Sequence, residues 1–276
     1  MVNFTFLSRD CNINEMRIRA IVSDIDGTLL DTPKQTLPSE RMLAAIRALK
    51  DLGIEFYLVS SRSFPNAQPL MKVLPSQNPA VLYGGAEIVQ PDGTVLVRHS
   101  ITPSKVAEII AITSKLDFSV LTDGNNGRKQ YQSGAVLSEI ENPEGLKRIV
   151  VLLIPPESVD MIVKQFDGVD DISCHVVPSG EVPGLFHIHL TDNRANKGKA
   201  VHELAKMVGV DPSEMLAAGD GRNDISLFEA VGYKVAMSNA ADELKQIADR
   251  VIGDVADDGL AEYLEELAAE IANKVV

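Results

Sequence analysis

The chain of 276 residues has no tryptophan, two cysteines and five histidines. Two cysteines, Cys11 and Cys174, cannot build a disulfide framework, and neither stands in a Cys-x-x-Cys or metal-ligand arrangement. They read as ordinary thiols of a reducing compartment. Basic residues are scarce beside acidic ones, 26 against 39, and the formal charge of -13 excludes a general nucleic-acid surface or adsorption to an anionic membrane. It does not exclude an anionic substrate, because one metal ion and one lysine reverse a local field. Long apolar runs are also missing, so no segment reads as a bilayer span. The apolar patch from Phe4 to Leu7 is too short for the centre of a signal peptide, and the expected location is the cytoplasm. With 45% hydrophobic and 24% charged residues, long disorder is not expected either. The length suits one large core or a core with an inserted domain, and the lack of tryptophan excludes neither.

What is present begins with Ile21-Val22-Ser23-Asp24-Ile25-Asp26-Gly27-Thr28-Leu29-Leu30. An apolar strand-like segment ends in a dense group of oxygen ligands. Side chains two apart point the same way at a strand end, so Asp24 and Asp26 are expected to converge, and a cation or a shared proton must relieve their repulsion. Magnesium suits oxygen ligands beside phosphate. The pair alone leaves a calcium loop or an ordinary turn open.

The downstream chain alternates. A helix from Ser39 with Leu43, Ile46 and Leu49 on one stripe stops at Gly53, and the run Ile54 to Val59 is strand-like and ends at Ser60-Ser61-Arg62. A helix through Leu70 to Leu74, a strand from Ala80 to Tyr83 and a hairpin turn at Gln90-Pro91-Asp92-Gly93 follow. From Ile101 the character changes to two helices, Ser104 to Lys115 and Glu157 to Phe166, with about four strands, including the apolar run Arg148 to Ile154. That reads as a separate α+β module. Its polar turn of Asp123, Asn125, Asn126 and Arg128 reads first as a solvated hairpin tip. His187 and His189 share one face of a strand, but without a matching third ligand nearby they read as structural. Beyond Thr191 the alternation resumes, with a helix from Lys197 to Val208, a strand from Met215 to Ala218, a helix from Asp224, a strand from Tyr233 to Ala236, a helix capped by Asn239 through Ile247, and a last helix from Leu260 to Lys274. One parallel sheet split by an insert explains this order: core residues 1–99, insert 100–188, core 189–276.

Four groups then fall where strands end or helices begin: Asp24 with Asp26, Ser60, Lys197, and the run Gly219-Asp220-Gly221-Arg222-Asn223-Asp224. In open parallel sheets the binding crevice lies outside the carboxyl ends of the strands, so these distant positions are expected to meet in one cleft. Singly, Ser60 is a helix cap, Lys197 a solvated lysine and the last run a turn.

Together, Asp-x-Asp-Gly-Thr at 24–28, Ser60-Ser61-Arg62, Asn-Lys-Gly at 196–198, Gly-Asp-x-x-Asn-Asp at 219–224 and Ser238-Asn239-Ala240 resemble the motifs of the haloacid dehalogenase superfamily. The placement of the insert resembles the type IIB cap of Cof-like sugar phosphatases. The resemblance covers the chain after about Arg17. It implies a Rossmann-like α/β core with an α+β cap and a magnesium-dependent phosphatase of small phosphorylated metabolites. By the same resemblance Asp24 is the nucleophile, Asp26 the acid and base, and Lys197 the neutralising cation. Asp24, the carbonyl of Asp26, Asp220 and Asp224 serve the metal, while Gly27, Ser60, Ser61, Arg62 and Asn223 serve the substrate. Nucleic acid and membrane are not expected partners, and the chain is expected to be a monomer or a homodimer. A phosphomutase or phosphotransferase is the nearest rival chemistry. A signalling receiver is disfavoured because Asp26 would drain a phosphoaspartate, and a fold that has lost turnover because the catalytic set is complete. One departure stands out: many relatives have Asn-Gly-Ala where this chain has Gly84-Gly85-Ala86.

Overall fold

The computed structural model describes residues 17–125 and 127–275; Cys11, the patch from Phe4 to Leu7 and Asn126 lie outside the described residues. The core begins with β1 (Ala20–Ser23), buried at every position. Helix α1 (Glu40–Asp51) starts where the Ser39 hydroxyl accepts from the Met42 amide, with Glu40 in the first turn and Lys50 in the last complementing the dipole. Its Met42, Ala45, Ile46 and Leu49 are buried, while Leu43 lies at the edge of the stripe and is partly covered. Strand β2 (Glu55–Leu58) pairs in parallel with β1, then α2 (Phe64–Val73) leads to β3 (Ala80–Leu82). Strands β4 (Glu87–Val89) and β5 (Val95–Arg98) continue from β3 as an antiparallel meander turning at Gln90 to Thr94.

The insert holds α3 (Pro103–Thr113), β6 (Val120–Gly124), β7 (Gly127–Tyr131), β8 (Arg148–Ile154), α4 (Pro156–Val163), β9 (Ile172–Pro178) and β10 (Phe186–Asp192). Its sheet is antiparallel in the order β7-β6-β8-β10-β9. There are five strands here, where sequence pattern suggested about four. Strand β7 reads Gly-Arg-Lys-Gln-Tyr, is exposed at its first four positions, and is held by its hairpin with β6 instead of by an apolar face. Ile149, Val151, Ile188 and Leu190 pack against Val106, Ile109 and Ile110 of α3 and Ile162 of α4 as a core of their own. Alternation along the strands puts Arg148, His175, His189 and Thr191 on the other face, toward the parallel sheet.

The chain then returns to the first domain with α5 (Lys197–Val208), β11 (Met215–Gly219), α6 (Ile225–Glu229), β12 (Tyr233–Met237), α7 (Asp242–Ile247), β13 (Arg250–Ile252) and α8 (Gly259–Val275). The sheet order is β13-β12-β11-β1-β2, all parallel, with β11 laid directly beside β1. Strands from both sides of the insert therefore share one sheet, an α/β core with an inserted α+β unit.

Two local readings are corrected. Asn239 does not cap a helix: α7 starts at Asp242 behind Ala241, and Asn239 instead donates to the Gly27 carbonyl at 2.8 Å and accepts from the Val255 amide at 3.1 Å. The helix expected from Asp224 opens as a 3-10 turn at Arg222–Asp224 before α6. Strand β13 is only three residues long and gave no periodic signal.

The junction between the two halves of the core depends on Gly85. A Cβ there would lie 2.6 Å from the backbone of Asn196, at a φ of +110°, whereas a Cβ on Gly84 would find only the Ser61 hydroxyl, at 3.7 Å. Gly85→Ala is expected to cost about 2–3 kcal/mol of unfolding free energy and Gly84→Ala about 1 kcal/mol. Urea midpoints of the two variants test this, and equal losses would contradict the packing argument.

Candidate active site

Asp24 follows β1, its amide donating to the Ala218 carbonyl of β11 at 3.0 Å. Its carbonyl accepts from the Ser23 hydroxyl at 2.8 Å, so the backbone here is held on both sides. The side chain is 5% exposed and meets the Lys197 ammonium at 2.9 Å. Lys197, the first residue of α5, reaches Asp224 at 2.6 Å with its other contact. Asp224 is wholly buried, and its second oxygen accepts from the amides of Asp220 and Gly221 at 3.1 and 3.0 Å. That carboxylate closes the loop after β11 on itself. Asp220 accepts from the Thr28 hydroxyl at 2.7 Å, tying the loops after β1 and β11 together. Gly27 is required at this junction: its φ is +82°, and a Cβ would fall 2.3 Å from the Asp220 carboxylate.

One carboxylate oxygen from each of Asp24, Asp220 and Asp224 lies within 4.8 Å of the others. Three carboxylates share one lysine, and all donors are hard oxygens, so the group fits a divalent cation such as magnesium. The electrostatics agree. Burial first, and then the charge of Asp224, push the Asp24 carboxyl up to about 8. Burial also pushes Asp220 up, to about 6, against the bond from Thr28. Burial opposes the charge on Lys197, but Asp224 and Asp24 outweigh it and hold the ammonium above its ordinary value.

Asp26 is placed differently. Both of its oxygens are taken by Arg62, at 2.6 and 2.9 Å, and the Thr32 hydroxyl donates to one of them at 2.5 Å. Burial raises this carboxyl, yet the bonds from Arg62 and Thr32 and the Arg62 charge leave it below its usual range. Arg62 is thus engaged with Asp26. Ser60 is buried at the end of the β2 segment, with its hydroxyl accepting from the Arg62 amide at 3.2 Å. Ser61 and Asn223 line a neighbouring cleft together with Lys197.

That cleft spans about 450 Å³ between the two domains, open solvent at its mouth included. From the insert it is lined by Arg148, His175, His189 and Thr191, none of which sequence reasoning placed here. Arg148 is 4% exposed and donates to Asp123 at 2.5 and 2.9 Å and to the Ser61 carbonyl at 3.0 Å. Asp123 also takes Arg128 at 3.1 Å, so the presumed hairpin-tip residues Asp123 and Arg128 belong to an ordered charge cluster. The signal was an arginine heading a buried strand, a position a charge occupies only when partnered. His189 has a third histidine nearby after all, His175 across the strand, but the described residues gather no metal-ligand group except the three aspartates.

Among the described residues no helix is long and apolar enough to cross a membrane. The sequence matches the family of haloacid dehalogenase-like hydrolases over residues 21–149 and 157–264. It is 30% identical over 263 residues to a Haemophilus influenzae protein named as a phosphatase, covering 91% of this chain and 98% of that one. It is 26% identical to phosphoglycolate phosphatase 1 of Saccharolobus solfataricus, covering 91% and 96%. The fold superposes on a subclass IIB sugar phosphatase of that superfamily with a TM-score of 0.72, at 18% identity and over 90% and 98% of the two chains.

Because the folded protein keeps a proton on Asp24 to about pH 8 and on Asp220 to about pH 6, while the unfolded chain releases both near pH 4, the metal-free fold loses stability as pH rises from 4 to 8. A divalent cation held by Asp24, Asp220 and Asp224 would take the place of those protons. Magnesium at millimolar concentration is therefore expected to raise the melting temperature by several degrees at pH 8 and by little at pH 5. Thermal melts with magnesium or with EDTA at both pH values check the sign.

Proposed function

Since the chain belongs to the haloacid dehalogenase-like hydrolase family, we propose that it is a magnesium-dependent phosphatase that opens small phosphate monoesters through an aspartyl-phosphate on Asp24. The observation that carries this reading is the buried chain Asp24–Lys197–Asp224 with Asp220 beside it, assembled from opposite ends of the sequence. Candidate substrates are sugar phosphates, phosphoglycolate and phosphorylated cofactors.

Asp24, Asp220 and Asp224, with the carbonyl of Asp26, would hold the cation, which supplies charge stabilisation for the phosphoryl group when bound. The residues do the rest. An Asp24 oxygen attacks phosphorus as the bond to the leaving oxygen breaks, and Asp26 delivers a proton to that oxygen. Water then attacks the same phosphorus, Asp26 takes its proton, and the bond to Asp24 breaks to release phosphate and restore the carboxylate. Lys197 draws the Asp24 carboxyl back toward ionisation against its burial and offsets charge on the transferring group. Ser60, whose hydroxyl has a free proton to donate, and the amide of Gly27 orient the phosphoryl oxygens, with Ser61 and Asn223 at the rim toward the cleft.

The pair Arg62–Asp26 adds a requirement. Held by Arg62, Asp26 is ionised and ready to accept a proton; to donate one it must leave the guanidinium, which then faces the phosphoryl oxygens. Arg62 therefore alternates between carboxylate and phosphate.

Asp24→Asn is expected to reduce phosphate release from a metabolite panel by at least about 10⁴-fold while leaving the far-ultraviolet spectrum unchanged. A phosphate ester made chiral at phosphorus with oxygen isotopes is expected to yield phosphate of retained configuration, because attack by Asp24 and then by water each invert phosphorus once. Net inversion would exclude the covalent route.

A further inference from the structure

The cleft above the carboxylate cluster runs against the charge of the whole molecule. In a chain of formal charge -13, two of the side chains that line it are cationic, Arg148 and Lys197, and none is acidic. On the side of the insert the remaining polar groups are His175, His189 and Thr191. The His189 Nδ1 accepts from Arg148 Nη1 at 3.4 Å, which leaves its Nε2 as the N–H. Burial, with the Arg148 charge added, holds the His189 imidazole well below its ordinary value, so it is neutral and donates a single proton.

Thr191 supplies an independent sign of a ligand. It is 3% exposed, lines the cleft, and pairs across the strands with Arg148, yet its hydroxyl has no hydrogen-bond partner. A buried hydroxyl left without a partner is costly, and an oxygen acceptor in the cleft would satisfy it. Arg148 is set to share such an acceptor. Of its five N–H groups two go to Asp123, which fixes the plane of the guanidinium, while the Nη1 edge turns to Ser61 and His189, both cleft residues.

Resting on the phosphatase reading above, we propose that Arg148, with Thr191 and His189, is the specificity-determining group for the alcohol half of the substrate and selects phosphate esters of small hydroxy acids, whose carboxylate it receives. The alternatives fit less well. A sugar's hydroxyls both donate and accept and would serve Thr191, but they bring no negative charge to the Nη1 edge of Arg148, and the cleft has no carboxylate to take their protons. A second phosphate dianion needs more positive charge than one arginine already shared with Asp123. Gly84, bare where a side chain would meet only Ser61, leaves room for a short leaving group beside the same wall.

The test compares 2-phosphoglycolate with 2-hydroxyethyl phosphate, which differ only in carboxylate against hydroxymethyl. Wild-type protein is expected to favour the carboxylate ester by about 30-fold or more in kcat/KM. Arg148→Lys, which keeps the charge and loses the fork, is expected to cut that ratio by about tenfold, chiefly through KM for the carboxylate ester. A variant is not essential, because in wild-type protein with phosphate present, glycolate should inhibit at least about tenfold better than ethylene glycol. A wild-type preference for 2-hydroxyethyl phosphate, an equal loss on both esters in the variant, or equal inhibition by the two alcohols would overturn the assignment. p-Nitrophenyl phosphate separates the two layers of argument: turnover of it without carboxylate preference defeats only the specificity, and no turnover of any ester defeats the phosphatase reading itself.

Discussion

Lys197 enters a space that already contains two buried carboxylates, and the position of everything around it follows. An unpaired ammonium there would be expelled or neutralised, and either aspartate alone would protonate. The first turn of α5 brings the lysine in from one side of the insert, β1 brings Asp24, and the loop after β11 brings Asp224. Because β1 and β11 are adjacent and in register, a two-residue slip of either strand would separate the pair by more than a salt bridge allows. The chemistry and the sheet register are thus one constraint. One lysine against three carboxylates leaves the cluster short of positive charge, and that deficit is what fits it to a divalent cation.

The loops carrying these groups are made rigid by contacts that are not themselves reactive. Asp224 uses one oxygen on two backbone amides of its own loop, which fixes Asp220. Thr28 then holds Asp220 from the β1 side, Asn239 holds the Gly27 carbonyl, and the Ala241 amide donates to the Asp220 carbonyl at 2.8 Å. Three separate segments converge on a few residues of backbone. Rigid placement of this kind matters for phosphoryl transfer, in which position and charge compensation contribute more than unusual reactivity.

Most of the core was legible in sequence because buried parallel strands and capped helices leave strong periodic and punctuation signals: the strand before Asp24, the Ser39 cap, the Gly53 stop at φ +83°, and the apolar run of β8. The residues that gather at the strand ends were legible for the same reason, since topology fixes where strand ends go. Less was visible wherever a side chain serves a tertiary contact instead of its own element. Asn239 looks like a cap and bonds two distant loops. Arg62 stands where a phosphate ligand is expected and grips Asp26. Asp123 and Arg128 look like a solvated hairpin tip, and only the cross-strand register that sets Asp123 opposite both Arg128 and Arg148 makes them a charge cluster. Local pattern cannot supply that register, because β7 has no apolar face to set it.

Two consecutive residues show how the insert is kept in place over the cleft. Lys147, at the entry to β8, is 6% exposed, lies 3.4 Å from Glu87 of the core meander and stacks over the Tyr83 ring at 4.3 Å. Glu87 is also held by Arg98 at 2.7 Å, so the anchor belongs to the core domain. Alternation then sends Arg148 the opposite way, into the cleft. With its backbone fixed by the neighbouring ion pair and its guanidinium plane fixed by Asp123, Arg148 meets the core through the Ser61 carbonyl, which follows directly on Ser60. The three aspartates are thus held by the core alone, while the insert lines the cleft above them and meets the core through both the Lys147–Glu87 pair and the hydrogen bond from Arg148 to the Ser61 carbonyl.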